Sequence, residues 1–248
     1  MNADDDARAG EETVPCAGLP DDETPAWYGK LASLGDFASR RLSQDTARTL
    51  DAWLAQGVSA SRARLGERWL EVYLTGPLWR FSWAPGVLDS HWWFGVLMPS
   101  VDNVGRYFPL VVLQARAAAP TAEAALQRLE DWYAAVSVTA LRTLQPGGSL
   151  DQFEAELAQI ADTSPLPCGA LVPAWVTTHS PQRTRHELAP GTSLAACFER
   201  LAVTETLQRA QSCSLWWPLR PGAPASSVTL AVGLPTGESF VPMFEGAW

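Results

Sequence analysis

From residue 27 onward the apolar positions follow either a period of two or a helical period, and the switches between these outline a fold. Trp27 to Leu31 is a short apolar run broken by Gly35-Asp36, which predicts a strand and then a turn ahead of the basic pair Arg40-Arg41. Ser43 is placed to cap a helix in which Leu50, Trp53, Leu54 and Val58 recur on one face. Trp69, Leu70, Tyr73 and Leu74 predict a second, shorter helix ended by Gly76-Pro77. Leu78 to Trp83 then sets Trp79, Phe81 and Trp83 against Leu78, Arg80 and Ser82, as a strand with an aromatic inner face would.

Two runs, Trp92 to Met98 and Phe108 to Leu113, are apolar throughout and lack helical polar spacing, so they predict strands in the middle of a sheet covered on both faces. Beyond them Leu126, Leu129, Tyr133, Val136, Ala140 and Leu144 predict one long helix from Thr121, closed by Pro146-Gly147-Gly148. Ser149 and Gln152 make a capping box for a further helix with Phe153, Leu157 and Ile160 inward. The rest reads as a strand over 170–177, a polar loop over 179–190, a helix over 193–208, strands over 214–217 and 228–232, and a short helix after Thr236. Strands and helices interleave without βαβ regularity, and Trp92 to Leu113 reads as two antiparallel neighbours. The expectation is α/β: a single-domain three-layer α/β/α sandwich with a mixed, largely antiparallel central sheet.

Composition changes this picture at the N-terminus. Residues 1–25 hold eight acids against Arg8 and so carry most of the formal charge of -9, leaving the other residues near neutral. With almost no large apolar side chain, 1–25 is expected to be a disordered acidic tail preceding one domain over 26–248. A near-neutral body lacks the clustered Lys and Arg that a phosphate backbone demands, so no nucleic-acid partner is expected. Without a long apolar stretch or a secretory h-region, no membrane insertion and a cytoplasmic location are expected. Cys16, Cys168, Cys197 and Cys213 form no C-x-x-C pair and are expected to be free thiols.

Candidate chemistry is sparse. Gly29-Lys30 lacks the earlier glycines and the following hydroxyl of a phosphate-binding loop, His91, His179 and His186 form no ligand-spaced pair, and no G-x-S-x-G elbow is present. No catalytic residue, metal site or cofactor is expected. Asp36, Arg40, Arg41, Arg80, Asp102 and Arg106 are the polar residues of interest. Asp102 and Arg106 could tie their loop together through charge-assisted hydrogen bonds, or the loops could present a mixed-charge surface to a protein. Asp36, Arg40, Arg41, Asp102 and Arg106 are the candidate partner-binding set. In Trp92-Trp93 and Trp216-Trp217, successive residues point to opposite faces, so each pair is buried in two layers or leaves one ring exposed as an interface anchor.

Two segments are more specific than any of these signals: Trp27-Tyr28-Gly29-Lys30-Leu31 running into Gly35-Asp36-Phe37, and Leu97-Met98-Pro99-Ser100-Val101-Asp102-Asn103-Val104-Gly105-Arg106-Tyr107-Phe108-Pro109-Leu110. With a Trp- and Leu-rich stretch and Pro77 to Phe81 between them, they resemble the TagF family, also called ImpM, of type VI secretion accessory proteins. The resemblance is strongest from Trp27 to about Leu113. It implies a cytoplasmic, non-enzymatic, post-translational repressor of type VI secretion whose partner is the forkhead-associated scaffold protein Fha, bound and sequestered. The alternative from another class is a small-molecule hydrolase or ligand-binding α/β domain, which would require a deep pocket with convergent titratable groups.

Overall fold

In the computed structural model, which describes residues 23–168, 177–180, 183–186, 202–203, 205–219 and 227–248, the apolar runs assemble into one sheet with helices on both faces. Its strands are β1 (Ala26–Gly29), β2 (Ala38–Arg40), β3 (Leu78–Trp83), β4 (Trp92–Met98), β5 (Leu110–Arg116), β8 (Cys213–Leu219) and β9 (Thr229–Val232). They lie in the order β2-β1-β5-β4-β3-β8-β9. Every pairing among them is antiparallel, so the three-layer α/β expectation stands and its sheet is antiparallel rather than mixed. The strand pair expected at the centre is there: β4 pairs with β5 along its whole length, Trp92 opposite Arg116 and Met98 opposite Leu110.

One face carries α1 (Gln44–Leu65), α2 (Trp69–Thr75) and the C-terminal α5 (Phe240–Glu245). Ser43 opens α1 by accepting from the Thr46 N–H at 3.0 Å, and Leu50, Trp53, Leu54 and Val58 turn inward as their spacing predicts. They meet Trp79, Phe81 and Trp83, the predicted aromatic face of β3, together with Trp93 and Trp216. In α2 the buried side chains are Trp69, Val72 and Tyr73, while Leu70 and Leu74, expected on the apolar stripe, face solvent. Tyr73 explains that rotation, because its hydroxyl donates to the Ser100 carbonyl at 2.9 Å and accepts from the Ser100 N–H.

The other face carries α3 (Glu123–Arg142) and α4 (Leu150–Thr163). On α3 the buried positions are Ala125, Trp132, Tyr133, Val136, Ser137, Thr139 and Ala140; Leu126 and Leu144 are exposed and Leu129 is only half-buried. The expected apolar stripe therefore fails at Leu126 and Leu144, where Trp132 takes up the contact; the Thr143 hydroxyl just past α3 is buried by donating to the Ala140 carbonyl at 2.6 Å, whereas the buried Ser137 Oγ has no hydrogen-bond partner among the described residues. Ser149 caps α4 by accepting from the Gln152 N–H at 3.1 Å, but Gln152 bonds to Glu156, so only half of the predicted capping box forms.

Trp92 and Trp93 are both buried, one in each core, and Trp216 and Trp217 divide the same way. Neither pair supplies an exposed anchor. The region expected as a polar loop over 179–190 contains an antiparallel hairpin, β6 (Thr177–Ser180) with β7 (Arg183–His186). The strand expected over 170–177 falls outside the described residues except at its last position, and most of the helix expected over 193–208 does as well. Cys168 is disulfide-bonded, against the expectation of a free thiol, whereas Cys213 is a buried free thiol as expected. Among the described residues no helix is long and apolar enough to cross a membrane.

Residues 1–22 of the expected tail lie outside the described residues. Glu23, within the expected tail, is bonded to the body. The Glu23 carboxylate pairs with the buried Arg116 at the end of β5, and Gln114 donates to the Glu23 carbonyl at 2.7 Å.

Candidate functional site

The two motif segments converge at one end of β1 and β5. Gly29 closes β1 opposite Leu110, with a φ of 136° that L side chains rarely adopt, and a Cβ there would lie 2.1 Å from the Pro109 carbonyl oxygen. Only glycine lets the strands approach so closely. The chain then turns through residues 30–37 on one side and 99–109 on the other, and these turns are tied together repeatedly. The Asn103 N–H donates to the Leu34 carbonyl at 2.9 Å, Ser100 Oγ to the Lys30 carbonyl at 2.7 Å, and Arg106 to the Gly35 carbonyl.

At the centre lies Asp102, whose side chain is wholly buried. One oxygen, Oδ2, accepts from Lys30 Nζ and Arg106 Nε, each at 2.7 Å. The other, Oδ1, accepts from the backbone N–H groups of Val104 at 3.1 Å and Arg106 at 2.8 Å. Burial alone would raise the carboxyl's pKa. The bonds from Lys30, Arg106 and Val104 outweigh that and hold it well below the usual carboxylate range. Gly105, at a φ of 81°, lets the turn close so tightly around the carboxylate. Lys30 is itself only 3% exposed, and its ammonium also lies 4.6 Å from the centre of the Phe37 ring. It is the sole lysine of the chain, and its sequence position carried no signal of a buried ion pair beyond the motif it belongs to.

The candidate residues do not form one cluster. Asp102 and Arg106 share the ion pair just described, with Arg106 Nε engaged while the side chain stays more than half exposed. Asp36 follows Gly35 on the facing turn, is exposed, and bonds only locally, accepting from the Phe37 N–H at 2.8 Å. Arg40 and Arg41 lie at the other end of the β1–β2 pair, where Arg40 is opposite Trp27 and Ala38 opposite Gly29. Arg40 is exposed and bonds to the Ser39 carbonyl. Arg41, at a φ of 59°, is fixed by the Pro25 carbonyl at 3.0 Å and by Glu154 of α4 at 2.7 Å. Burial would raise the Glu154 carboxyl, but bonds from Arg41 and Trp27 bring it below its ordinary value. Arg80, on β3, reaches Glu130 of α3 at 3.2 Å and belongs to neither group. Among the described residues Asp36 and Arg40 form no ion pair; Asp102, Arg106 and Arg41 hold their loops in place.

An aromatic residue of the first motif, outside the candidate set, completes the surface. Phe37 is 44% exposed, packs edge-on against Phe108 with centroids 4.8 Å apart, and stacks with Tyr28. Tyr28 is fixed in turn by its hydroxyl, which donates to Asp51 of α1, and burial together with Asp51 raises its pKa, so it stays protonated as a donor. Val104 at the tip of the second turn is 66% exposed. Residues 35–37 and 103–106 are exposed in unbroken runs, so both cross-tied turns are open to solvent.

The two turns present one carboxylate, Asp36, outside any ion pair of the described residues, one half-exposed guanidinium and two exposed apolar side chains. Among the described residues no group of three or more His, Cys, Asp or Glu is placed to hold a metal ion. Residues 26–160 match the family described as TagF N-terminal domain, type VI secretion system-associated. The chain is also similar to the crystal structure of PA0076 from Pseudomonas aeruginosa PAO1, with a TM-score of 0.71 and 34% sequence identity over 90% of this chain and 94% of that one. No curated protein matches the chain.

Proposed function

Since the chain belongs to the TagF family of type VI secretion system-associated proteins, we propose that it is a non-enzymatic regulator that represses type VI secretion by binding and sequestering the forkhead-associated scaffold Fha in the cytoplasm. The observation that carries this reading is the pair of motif turns, cross-tied through Asp102 and exposed side by side. Ordering a flexible loop on binding costs affinity, so a surface fixed in advance by a buried ion pair is suited to recognising a protein.

Asp36 and Arg40 are the charged candidates free to change without breaking an internal ion pair. The purified full chain should bind purified Fha in calorimetric titration. Asp36→Arg should weaken that binding by about 2 kcal/mol or more if the contact is desolvated, with an unchanged melting midpoint. Absence of binding by the parent chain would sink the reading. Equal affinity for Asp36→Arg and Arg40→Glu would move the contact away from both ends of the β1–β2 pair.

A further inference from the structure

We propose that two copies of this chain pair edge to edge through β9, antiparallel about a two-fold axis at Leu230, so that the sheet of one copy continues into that of the other. This goes beyond the regulator reading above and does not depend on it, because β9 closes the opposite edge of the sheet from β1 and β2.

The two edges of the sheet differ in charge. β2 ends on the exposed Arg40, and a charge on an edge strand discourages another strand from adding to it. β9 carries no such guard: it has no strand beyond it among the described residues, and no charged residue occurs in the sequence between Arg220 and Glu238. Val228, Leu230 and Val232 are 62%, 59% and 84% exposed, and strand alternation puts them on one face, with Thr229 and Ala231 half-buried on the other. The backbone follows the same alternation. The Gly233 N–H donates to the Ser212 carbonyl at 2.7 Å, continuing the register in which Val232 lies opposite Cys213 and Leu230 opposite Leu215. Bonded and non-bonded positions alternate in an antiparallel pair, so Thr229 and Ala231 direct their backbone groups at β8, whereas those of Leu230 and Val232 point to the open edge. The exposed side chains and the outward backbone groups therefore belong to the same residues.

That coincidence makes the strand self-complementary. With Leu230 opposite its own copy, Val228 of each chain lies opposite Val232 of the other, every outward N–H meets a carbonyl, and the apolar pairs close on one face. A shift of one residue would set the outward groups against Thr229 and Ala231, whose backbone is already bonded to β8. Charge agrees with this occupant: a neutral apolar strand offers nothing to attract a charged segment and nothing to repel a second copy of itself. The area sets the strength. At ~3.4 Å per residue, 228–232 runs ~17 Å, and a strip of that length one sheet layer of ~10 Å deep is well below the ~800 Å² per partner of a standing dimer, so the pairing is weak and concentration-dependent.

The test uses the full chain carrying Leu230→Cys and follows covalent dimer formation under a thiol oxidant on non-reducing gels. The parent chain gives the background, and Val138→Cys, exposed on α3, gives the rate of random collision. Residues opposite one another in a bonded antiparallel pair have Cα atoms ~5.5 Å apart, within reach of a disulfide. Leu230→Cys should cross-link about tenfold faster than Val138→Cys or more, because the paired edge holds the two thiols together. Val228→Cys mixed with Val232→Cys should cross-link to each other faster than either does to itself, as an axis at Leu230 requires. In sedimentation equilibrium the parent should gain mass as concentration rises, and Leu230→Lys should stay monomeric over the same range. Cross-linking of Leu230→Cys no faster than that of Val138→Cys overturns the proposal, as does a parent that is monomeric throughout. Equal rates for the mixed and unmixed chains overturn the axis at Leu230 and the self-complementary pairing with it. Should thermal melts show Leu230→Cys unfolded, the mixed chains decide.

Discussion

Asp102 shows how far a single side chain can organise a region. A buried carboxylate is tolerated only when its lone pairs are satisfied, and here two side-chain and two backbone donors do so. Its depressed pKa has a sign that can be checked. A carboxyl that titrates lower in the folded chain than in the unfolded one binds fewer protons when folded, so its contribution is fully present above the ordinary carboxylate range and is lost as pH falls toward the folded value. Asp102→Asn should therefore lower stability near neutral pH and flatten the acid limb of a plot of denaturation free energy against pH. An unchanged acid slope would mean that the Lys30–Asp102–Arg106 cluster is not what fails first in acid. Glu154, lowered in the same direction by Arg41 and Trp27, adds to the same limb and remains in the variant. The sequence exposed the residue types of this cluster, Asp102 and Arg106 four apart, but not that Lys30, far away in the chain, is their third member. Pairing across such a separation depends on β1 lying beside β5, which no local spacing encodes.

At the scale of elements, periodicity located α1 to α5 and six of the seven strands of the large sheet among the described residues, missed β2 and the β6–β7 hairpin, and placed the helix faces less well. On α3 the expected stripe of Leu126, Leu129, Tyr133, Val136, Ala140 and Leu144 holds at Tyr133, Val136 and Ala140, while Leu126 and Leu144 are exposed and the rest of the buried face is Ala125, Trp132, Ser137 and Thr139. A hydroxyl scores as polar in any pattern of apolar positions, yet it can be buried against the helix's own carbonyls, as Thr143 is. That is why buried Ser137 and Thr139 lie outside the expected stripe. Trp132→Ala should cost about 3 to 5 kcal/mol in urea denaturation, because the side chain is fully buried under α4 and its removal leaves a cavity. Leu126→Ala, on the exposed side, should stay within about 0.5 kcal/mol of the parent. Similar losses for the two would contradict the assigned face. The strands were more legible, since β3, β4 and β5 are buried on both sides and read as aromatic or continuous apolar runs.

For the whole molecule, Arg116 ties the segment before β1 to the body. Acidic composition gave no sign that Glu23, within 1–25, pairs with a guanidinium far along the chain. Arg116 is buried at the end of β5, where it donates to the Leu166 carbonyl at 2.7 Å through one nitrogen and at 3.1 Å through another, and the same guanidinium pairs with Glu23. It joins three stretches of chain: the residues before β1, the central strand β5, and the segment after α4. Burial works against the Arg116 charge, and Glu23 offsets that cost only in part because it is about half exposed and screened by solvent. Removing residues 1–22 should leave the thermal midpoint within a few degrees, as expected when little buried area is lost. Glu23→Gln should be measurably less stable than the parent, by about 1 kcal/mol, since a buried guanidinium loses its anionic partner while keeping its carbonyl acceptors. Melts of the parent, the truncated chain and Glu23→Gln separate the possibilities. A large loss on removing 1–22 would extend the folded body into the acidic segment, and an unaffected Glu23→Gln would leave the Leu166 carbonyl as the sufficient partner of Arg116.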